Sequence, residues 1–441
     1  MRKKLKTKFI KTVFAVTVFI CFLFVFYSST FKRVDTVCDN CNIILISIDT
    51  LRADHLSSYG YFRNTSPNID KLANEGILFK NAFSQAPISL PSHMSIFTSL
   101  YPATHGVNNP QKDKLSNSIK TLPEILKTNG YKTAWFGPLN HDQLNLSIGF
   151  GRGFDEFYPD LYGPNEQNQA YDWIDNNYRN KFFIFLHTYR LHDPYLVPLP
   201  FDKLYDTEYK GKIIGDNNEF FEKYYETVSP VYDYGKIRAF YWQYANTSDK
   251  DDVNHLIALY DTLITCCVDT FIGKLMSKIQ EHEINDRTII ILTSDHGEAF
   301  GEHGEFLHIT LHNEVLHVPL IIKIPNSNGK VIESQVQSID IMPTILDISG
   351  ITTQYDIQGT SLIPLMRNKT KIINEYTYGY WHTMSSVRSD KWKLIKYSNG
   401  KLELYDIKTD QEEQVNVAER YPNVVNEMKN KLEEFELSGY K

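Results

Sequence analysis

Cysteine is scarce in this chain, with 5 in 441 residues, and that excludes a scaffold built on disulfides. Cys38 and Cys41 make a single Cys-x-x-Cys, so the paired pattern of a structural zinc site is missing. In an oxidising compartment these two thiols can bridge; two free thiols are the alternative. Cys266 and Cys267 are neighbours on an expected helix. Positive charge is also in short supply. Lys and Arg number 46 against 53 Asp and Glu, a net charge of −7, and no basic stripe marks a nucleic-acid partner. There is no low-complexity segment and no internal repeat. One long apolar run is present, residues 9–27, behind a Lys/Arg-rich segment, residues 1–8. It is close to the ~20 residues that cross a bilayer. The basic flank predicts a cytoplasmic N-terminus and an extracytoplasmic remainder. A cleaved signal peptide is the competing reading. The run is bulky and no small-residue cleavage site follows it, which favours a single-pass anchor in the lipid bilayer.

The roughly 400 residues that remain suit one large domain, alone or with a smaller companion. Residues 42–48 and 287–293 are short, β-branched apolar runs, as buried parallel strands are. Residues 182–186 and 318–324 are further strand candidates. Helical stretches are expected at 68–74, 121–129 and 255–279. Strands alternating with helices predict an α/β fold, a mostly parallel sheet sandwiched by helices, over residues 42–375. Residues 339–346 and 359–365 read as its closing elements. Residues 376–441 read as a small C-terminal α+β subdomain, with strands at 386–388, 392–397 and 402–405 and a helix at 422–435. The Tyr-rich, charged stretch 201–252 is a long insertion of the kind that walls an active site.

Ligands of open α/β sheets bind beyond the carboxyl ends of the strands. Asp49, His187, Asp295 and His296 all fall there. Carboxylates with one imidazole suit a divalent ion, although Asp49 alone also reads as a strand-end cap. Ser89 lies two residues before Pro91, and a stripe of Met94, Phe97 and Leu100 follows. Proline suits a first helical position, so the helix is expected to begin at Pro91. Ser89 then sits at the helix N-terminus, where negative charge is favoured, or is an ordinary Ser/Pro helix start. His187 and His192 flank one strand end, and His303, His308, His312 and His317 follow Asp295-His296. A single histidine is more often structural; several in one cleft can bind anionic oxygens and protonate a leaving group.

At this point the pattern resembles a family, the sulfatases of the alkaline phosphatase superfamily. The residues that carry it are Ser47-Ile48-Asp49-Thr50-Leu51-Arg52-Ala53-Asp54 and Tyr59-Gly60, then Thr65-Ser66-Pro67-Asn68-Ile69-Asp70-Lys71-Leu72-Ala73 with Gly76 to Phe79 as a next helix. Leu90-Pro91-Ser92-His93 and His105-Gly106-Val107 follow. Thr293-Ser294-Asp295-His296-Gly297-Glu298, Gly301-Glu302-His303-Gly304, Glu314 and His317-Val318-Pro319-Leu320 come next, and Trp392-Lys393-Leu394-Ile395 and Glu403-Leu404-Tyr405-Asp406 extend the match through most of the chain. The resemblance implies that Asp49, Asp295 and His296 bind one divalent metal with the Ser89 oxygen, calcium being expected and manganese or magnesium the alternatives. It implies that Ser89 is the nucleophile, a position that typical sulfatases convert to formylglycine. It also implies that His192 and His308 contact the anionic group or its leaving group. Asn140 and His141 fall where the family often has Gly-Lys-Trp-His, and would contact substrate.

Two departures bear on the chemistry. Ser89-Leu90-Pro91-Ser92-His93 ends in His where the maturation motif ends in Arg, and Thr50 stands where sulfatases often carry a second acidic residue. Phosphonate monoester hydrolases also lack that residue, and the reduced set resembles lipoteichoic acid synthases and phosphoethanolamine transferases, which use an unmodified Thr. The expected function is therefore hydrolysis of a sulfate ester on a small molecule, glycan or lipid. Phosphoester hydrolysis or transfer by an unmodified Ser89 is the alternative, and a non-catalytic membrane-anchored binding protein on the same scaffold is a third reading.

Overall fold

Alternation along one strand decides where the rest of the chain sits. In Asn42–Ile48, Ile44, Ile46 and Ile48 join one apolar cluster with Leu256, Leu259 and Leu263, while Ile43 and Leu45 join another with Leu90, Met94 and Phe97. That is the two-residue period of a strand. Both faces are covered, so the strand reads as one continuous apolar run. The computed structural model describes residue 38, residues 40–138, 146–159, 165–325, 327, 329–352 and 354–439. The apolar run 9–27 and the expected substrate residues Asn140 and His141 lie outside the described residues.

In chain order the strands are β1 (Asn42–Ile48), β2 (Ile77–Phe83), β3 (Lys132–Phe136), β4 (Glu156–Tyr158), β5 (Phe182–Thr188), β6 (Thr288–Thr293), β7 (Ala299–Phe300), β8 (Phe306–Leu307), β9 (His317–Lys323), β10 (Lys330–Gln337), β11 (Thr377–Trp381), β12 (Met384–Arg388), β13 (Trp392–Tyr397) and β14 (Leu402–Asp406). The central sheet has the order β10-β2-β9-β6-β1-β5-β3-β4. It is mostly parallel, as the alternating pattern predicts; the exception is β9, antiparallel to both β6 and β2. The central trio β5-β1-β6 is parallel, with Ser47 beside both His187 and Thr293, so three strands release their next residues at one edge of the sheet.

Several expectations need correction. Residues 77–79 of the segment 76–79 belong to a strand, β2, and the preceding helix ends at Glu75 with Gly76 as its cap. Lys80 and Asn81 interrupt its apolar pattern at an irregularity in the register with β9 and β10, which hides it from a periodicity count. The helix expected from Pro91 spans Ser89–Thr98, with extended Ile88 before it. Proline is accommodated in this first turn because the N–H it lacks has no partner within the helix there. The helix expected at 255–279 is longer, Lys250–Glu281, and contains a π-turn at Ile264–Asp269. Among the described residues it is the one helix long and apolar enough to cross a membrane, yet 67% of its most apolar window is buried, as in a core helix packed on the sheet. The insertion 201–252 carries two helices, Asn217–Thr227 and Tyr234–Trp242. Cys38 and Cys41 are disulfide-bonded, whereas Cys266 and Cys267 are free.

The C-terminal part is an antiparallel sheet in the order β11-β12-β13-β14. The helix Pro422–Gly439 covers it, with Val425, Met428 and Leu432 against Val387, Leu394 and Leu404. A buried carboxylate joins this layer to the main sheet's loops. Glu413 accepts from Lys393 Nζ at 2.9 Å and from the Asn313 backbone N–H at 3.1 Å, and its carbonyl oxygen faces His303 Nε2 at 2.8 Å. The Lys393 and Glu413 side chains are 2% and 0% exposed. Glu413→Ala would strand a buried ammonium and is expected to cost about 3–5 kcal/mol. Urea midpoints measure this, and a change below about 1 kcal/mol would show that the junction does not depend on the pair.

Candidate active site

Asp49 follows β1, His187 is near the end of β5, and Asp295-His296 follow β6, so strand order alone brings four chemically active side chains to one edge. The Ser89–Thr98 helix supplies the fifth. Ser89 Oγ donates to Asp49 Oδ2 at 3.2 Å and lies 3.3 Å from His296 Nε2. Ligand atoms of Asp49, Asp295 and His296 all fall within 4.8 Å of one another, and all three residues are fully buried. His296 Nε2 is 3.5 Å from Asp295 Oδ2 and 3.8 Å from Asp49 Oδ1.

Hydrogen bonds to the far ring nitrogens settle the tautomers. His296 Nδ1 faces the Gly297 carbonyl at 3.0 Å and His187 Nδ1 faces the Ser47 carbonyl at 3.1 Å. A carbonyl only accepts, so each Nδ1 carries the proton and each Nε2 presents a lone pair. Burial pushes both rings toward the neutral form, His296 to about 4 and His187 to about 3. Asp49 is raised well above the usual carboxylate range by burial and by the neighbouring Asp295 charge. Asp295 is held down despite its burial, chiefly by His296, with His93 and His187 adding to it. Asp49 Oδ1, Asp295 Oδ2 and His187 Nε2 have no hydrogen-bond partner although buried. Buried lone pairs that converge are unfavourable unless positive charge stands among them. The donor set of carboxylates and imidazole therefore fits a divalent cation.

A second tier lies outward. His308 Nδ1 is 3.2 Å from Glu298 Oε1, and its ring centroid is 4.5 Å from that of His296 and 5.2 Å from that of His192. Burial, then the charge of His192, lowers His308 to about 3. His192 behaves oppositely. Burial opposes its charge, but Asp193, with Oδ1 3.0 Å from His192 Nδ1, raises it to about 10. Asp193 itself is buried and accepts from Arg238 Nε at 2.8 Å and Trp242 Nε1 at 2.6 Å, both on the insertion helix Tyr234–Trp242.

The sequence reading names Asp49, Ser89, His192, Asp295, His296 and His308, and the fold brings these together. His303, His312 and His317 stand apart. The first two stack at 3.7 Å beside Glu314, next to the C-terminal sheet, and His317 Nε2 faces the Lys80 carbonyl at 2.7 Å. His93 is the residue missed as a site component. Its Nδ1 donates to the Ser89 carbonyl at 2.9 Å and its Nε2 lies 2.9 Å from Ser47 Oγ. A histidine four residues beyond Ser89 on a helix shares its face, which is the signal available in the sequence. Asp193, Arg238 and Trp242 carry no such signal, because the contact between the β5 loop and the insertion is purely tertiary.

A fold of this kind is found in known proteins. A protein solved in complex with its substrate D-glucosamine-2-N,6-O-disulfate superposes with a TM-score of 0.73 at 23% identity, over 91% of this chain and 98% of that one. The phosphonate monoester hydrolase of Agrobacterium radiobacter superposes with a TM-score of 0.73 at 20% identity, over 90% and 96%. These likenesses define the fold class: an α/β fold with a mostly parallel central sheet and a small antiparallel C-terminal sheet. Among curated relatives, N-acetylglucosamine-6-O-sulfatase of Bacteroides thetaiotaomicron is 26% identical over 461 residues, 85% of this chain and 82% of that protein. The family profile described as Sulfatase matches residues 41–351, and that described as N-sulphoglucosamine sulphohydrolase, C-terminal, matches residues 301–438. The chain belongs to the sulfatase family and is a sulfuric ester hydrolase. Members of this family generally use a divalent metal and formylglycine.

The His192–Asp193 pair predicts a pH dependence. The folded-state value near 10 lies above the roughly 6.5 of a free histidine, so the pair's contribution is fully present below about pH 6.5 and lost as pH rises through about 10. Denaturation midpoints at pH 7, 8.5 and 10 should fall less steeply for His192→Gln than for the native protein. Equal slopes would mean that His192 is not held charged.

Proposed function

We propose that Ser89 supplies the nucleophile of this sulfatase, that Asp49, Ser89, Asp295 and His296 hold its one divalent cation, and that its substrate is a sulfated glycan. The observation that supports this most is the placement of Ser89 Oγ, 3.2 Å from Asp49 and 3.3 Å from His296, among buried atoms without partners. A divalent ion bound there supplies charge neutralisation and polarises the ester oxygens. Calcium is the ion we favour, with manganese or magnesium as alternatives.

The residues divide the work. Ser89 donates its hydrogen bond to Asp49 Oδ2, so that carboxylate is in place to take the proton of an oxygen nucleophile at this position. His192 has Nδ1 on Asp193, and its Nε2 has no hydrogen-bond partner among the described residues. As an imidazolium it donates from Nε2 to the leaving alcohol oxygen. His308, with Nδ1 on Glu298, orients the anionic group from the other side. His93 and Ser47 act as positioning residues by fixing the first turn of the Ser89 helix. In the sulfatase mechanism a maturation enzyme first oxidises Ser89 to the aldehyde; one hydroxyl of its hydrate attacks sulfur, the alcohol leaves with the proton from His192, and the other hydroxyl expels sulfate by elimination and restores the aldehyde. We also infer that residues 9–27 anchor the enzyme in the bilayer with its catalytic part extracytoplasmic, on the strength of the apolar run and its basic flank. Asn140 and His141 are proposed as substrate contacts from their place in the chain.

A second reading, phosphoester cleavage by unmodified Ser89, is favoured by one observation. His93 replaces the Arg of the maturation motif and is fully engaged with Ser47 and the Ser89 carbonyl. Paired assays on an aryl sulfate and an aryl phosphate, with mass analysis of the Ser89 peptide, separate the two. Ser89→Ala is expected to abolish turnover with the fold intact, and Asp295→Asn to lower bound metal and activity together. A native Ser89 peptide lighter by two hydrogens, with Ser89→Thr inactive, supports the sulfatase mechanism. Phosphatase activity retained by Ser89→Thr supports the second reading. Near-native activity of Ser89→Ala would remove Ser89 from the chemistry.

A further inference from the structure

The helix Tyr234–Trp242 of the insertion places Tyr234, Arg238 and Trp242 four residues apart, on one face. All three converge on the strand-end segment His192-Asp193. Tyr234 Oη lies 2.9 Å from His192 Nδ1 and donates to the Asp193 carbonyl at 3.0 Å. Trp242 Nε1 and Arg238 Nε both donate to Asp193 Oδ2. One buried carboxylate thus faces both the His192 ring and the Arg238 guanidinium. The Asp193 side chain is 0% exposed, but that of Arg238 is 31% exposed. Only Nε of the guanidinium is bonded; its two Nη groups have no hydrogen-bond partner among the described residues. The Tyr234 ring lies 5.6 Å from the guanidinium carbon and limits its rotation. The fork is therefore oriented from behind while its two outer nitrogens remain free.

Its position relative to Ser89 follows from a chain of contacts. Ser89 touches His296, the His296 and His308 rings are 4.5 Å apart, the His308 and His192 rings 5.2 Å, and Asp193 links His192 to Arg238. Arg238 is the last member of this chain of contacts, joined through Asp193 to the histidine assigned to the leaving alcohol. A group bound by Arg238 would therefore belong to the alcohol part of the substrate and not to the sulfate being removed. We propose that Arg238 is a specificity-determining residue that binds a second oxyanion, a sulfate or a carboxylate, carried by the substrate's alcohol part. This rests on the sulfatase reading above and narrows it to glycans with at least two anionic groups. A planar fork with two free N–H edges matches either oxyanion, whereas a lysine ammonium would not reproduce the two-point geometry.

The test compares kcat/KM on an aryl sulfate, glucosamine 6-sulfate, glucosamine 2-N,6-O-disulfate, and a 6-sulfated glucosamine linked to a uronate. Arg238→Gln and Arg238→Lys are measured beside the native enzyme, with circular dichroism to confirm folding. Arg238→Gln is expected to lose about 10–100-fold more on a doubly anionic sugar than on the aryl sulfate, the scale of a hydrogen-bonded charge. Arg238→Lys should recover part of that loss. A selective loss on the disulfate identifies sulfate as the bound group, and one on the uronate identifies carboxylate. Equal losses on all four substrates would overturn the proposal and reduce Arg238 to a support for Asp193 and His192. If the native enzyme cleaves no sulfate ester, the sulfatase reading fails separately. Calorimetric binding of the mono- and disulfated sugars then decides the role of Arg238: discrimination lost in Arg238→Gln sustains it, and unchanged discrimination overturns it.

Discussion

Crowding of buried lone pairs at the carboxyl ends of the central strands is the constraint on which the rest of the structure depends. Asp49 Oδ1, Asp295 Oδ2 and His187 Nε2 lack partners, and His296 Nε2 points among them. Such a set is stable only when positive charge is supplied to it. The surrounding bonds keep protons out of the wrong places. Carbonyls of Ser47, Gly297 and Ser89 each take an Nδ1 proton, from His187, His296 and His93. The polar demand of the site is thus met by backbone, which cannot titrate, and the electron-rich faces are left for a cation.

Outside this core the electrostatics change sign. His93, His187, His296 and His308 are all driven toward neutrality by burial. His192 alone of this group is driven the other way, because Asp193 stands against it. Asp193 in turn is held by Arg238 and Trp242 of the insertion. The centre at the strand ends and the irregular insertion therefore meet at one carboxylate. A scaffold of this kind serves different esters, as its likeness to a protein bound to a disulfated glucosamine and to a phosphonate monoester hydrolase illustrates.

Much of the fold is legible in the chain because burial on both faces leaves an unbroken apolar signature. The runs that form β1, β5, β6 and β9 all announce themselves in this way. Direction does not: an apolar run is the same read either way, so nothing local tells that β9 lies antiparallel to β6. Strand β2 escapes because Lys80 and Asn81 sit at its irregularity, and the insertion helices escape because their sequence is mixed in polarity all round.

The sequence by itself determined which chemical groups are present, the strands they follow, and the family they belong to. Asp49, Ser89, Asp295 and His296 are recognisable because each is tied to a local element, a strand end or a helix start, whose pattern covers only a few residues. The family resemblance singles out His192 and His308 among the many histidines, but only tertiary structure decided how they reach the centre and what holds them there. His192 and His308 enter it while His303, His312 and His317 do not, although the last four follow the same segment of chain. Convergence depends on strand order and on how the loops after β5 and β6 pack against the insertion. Those contacts join residues far apart in sequence, as between Asp193 and Arg238, and no local period encodes them.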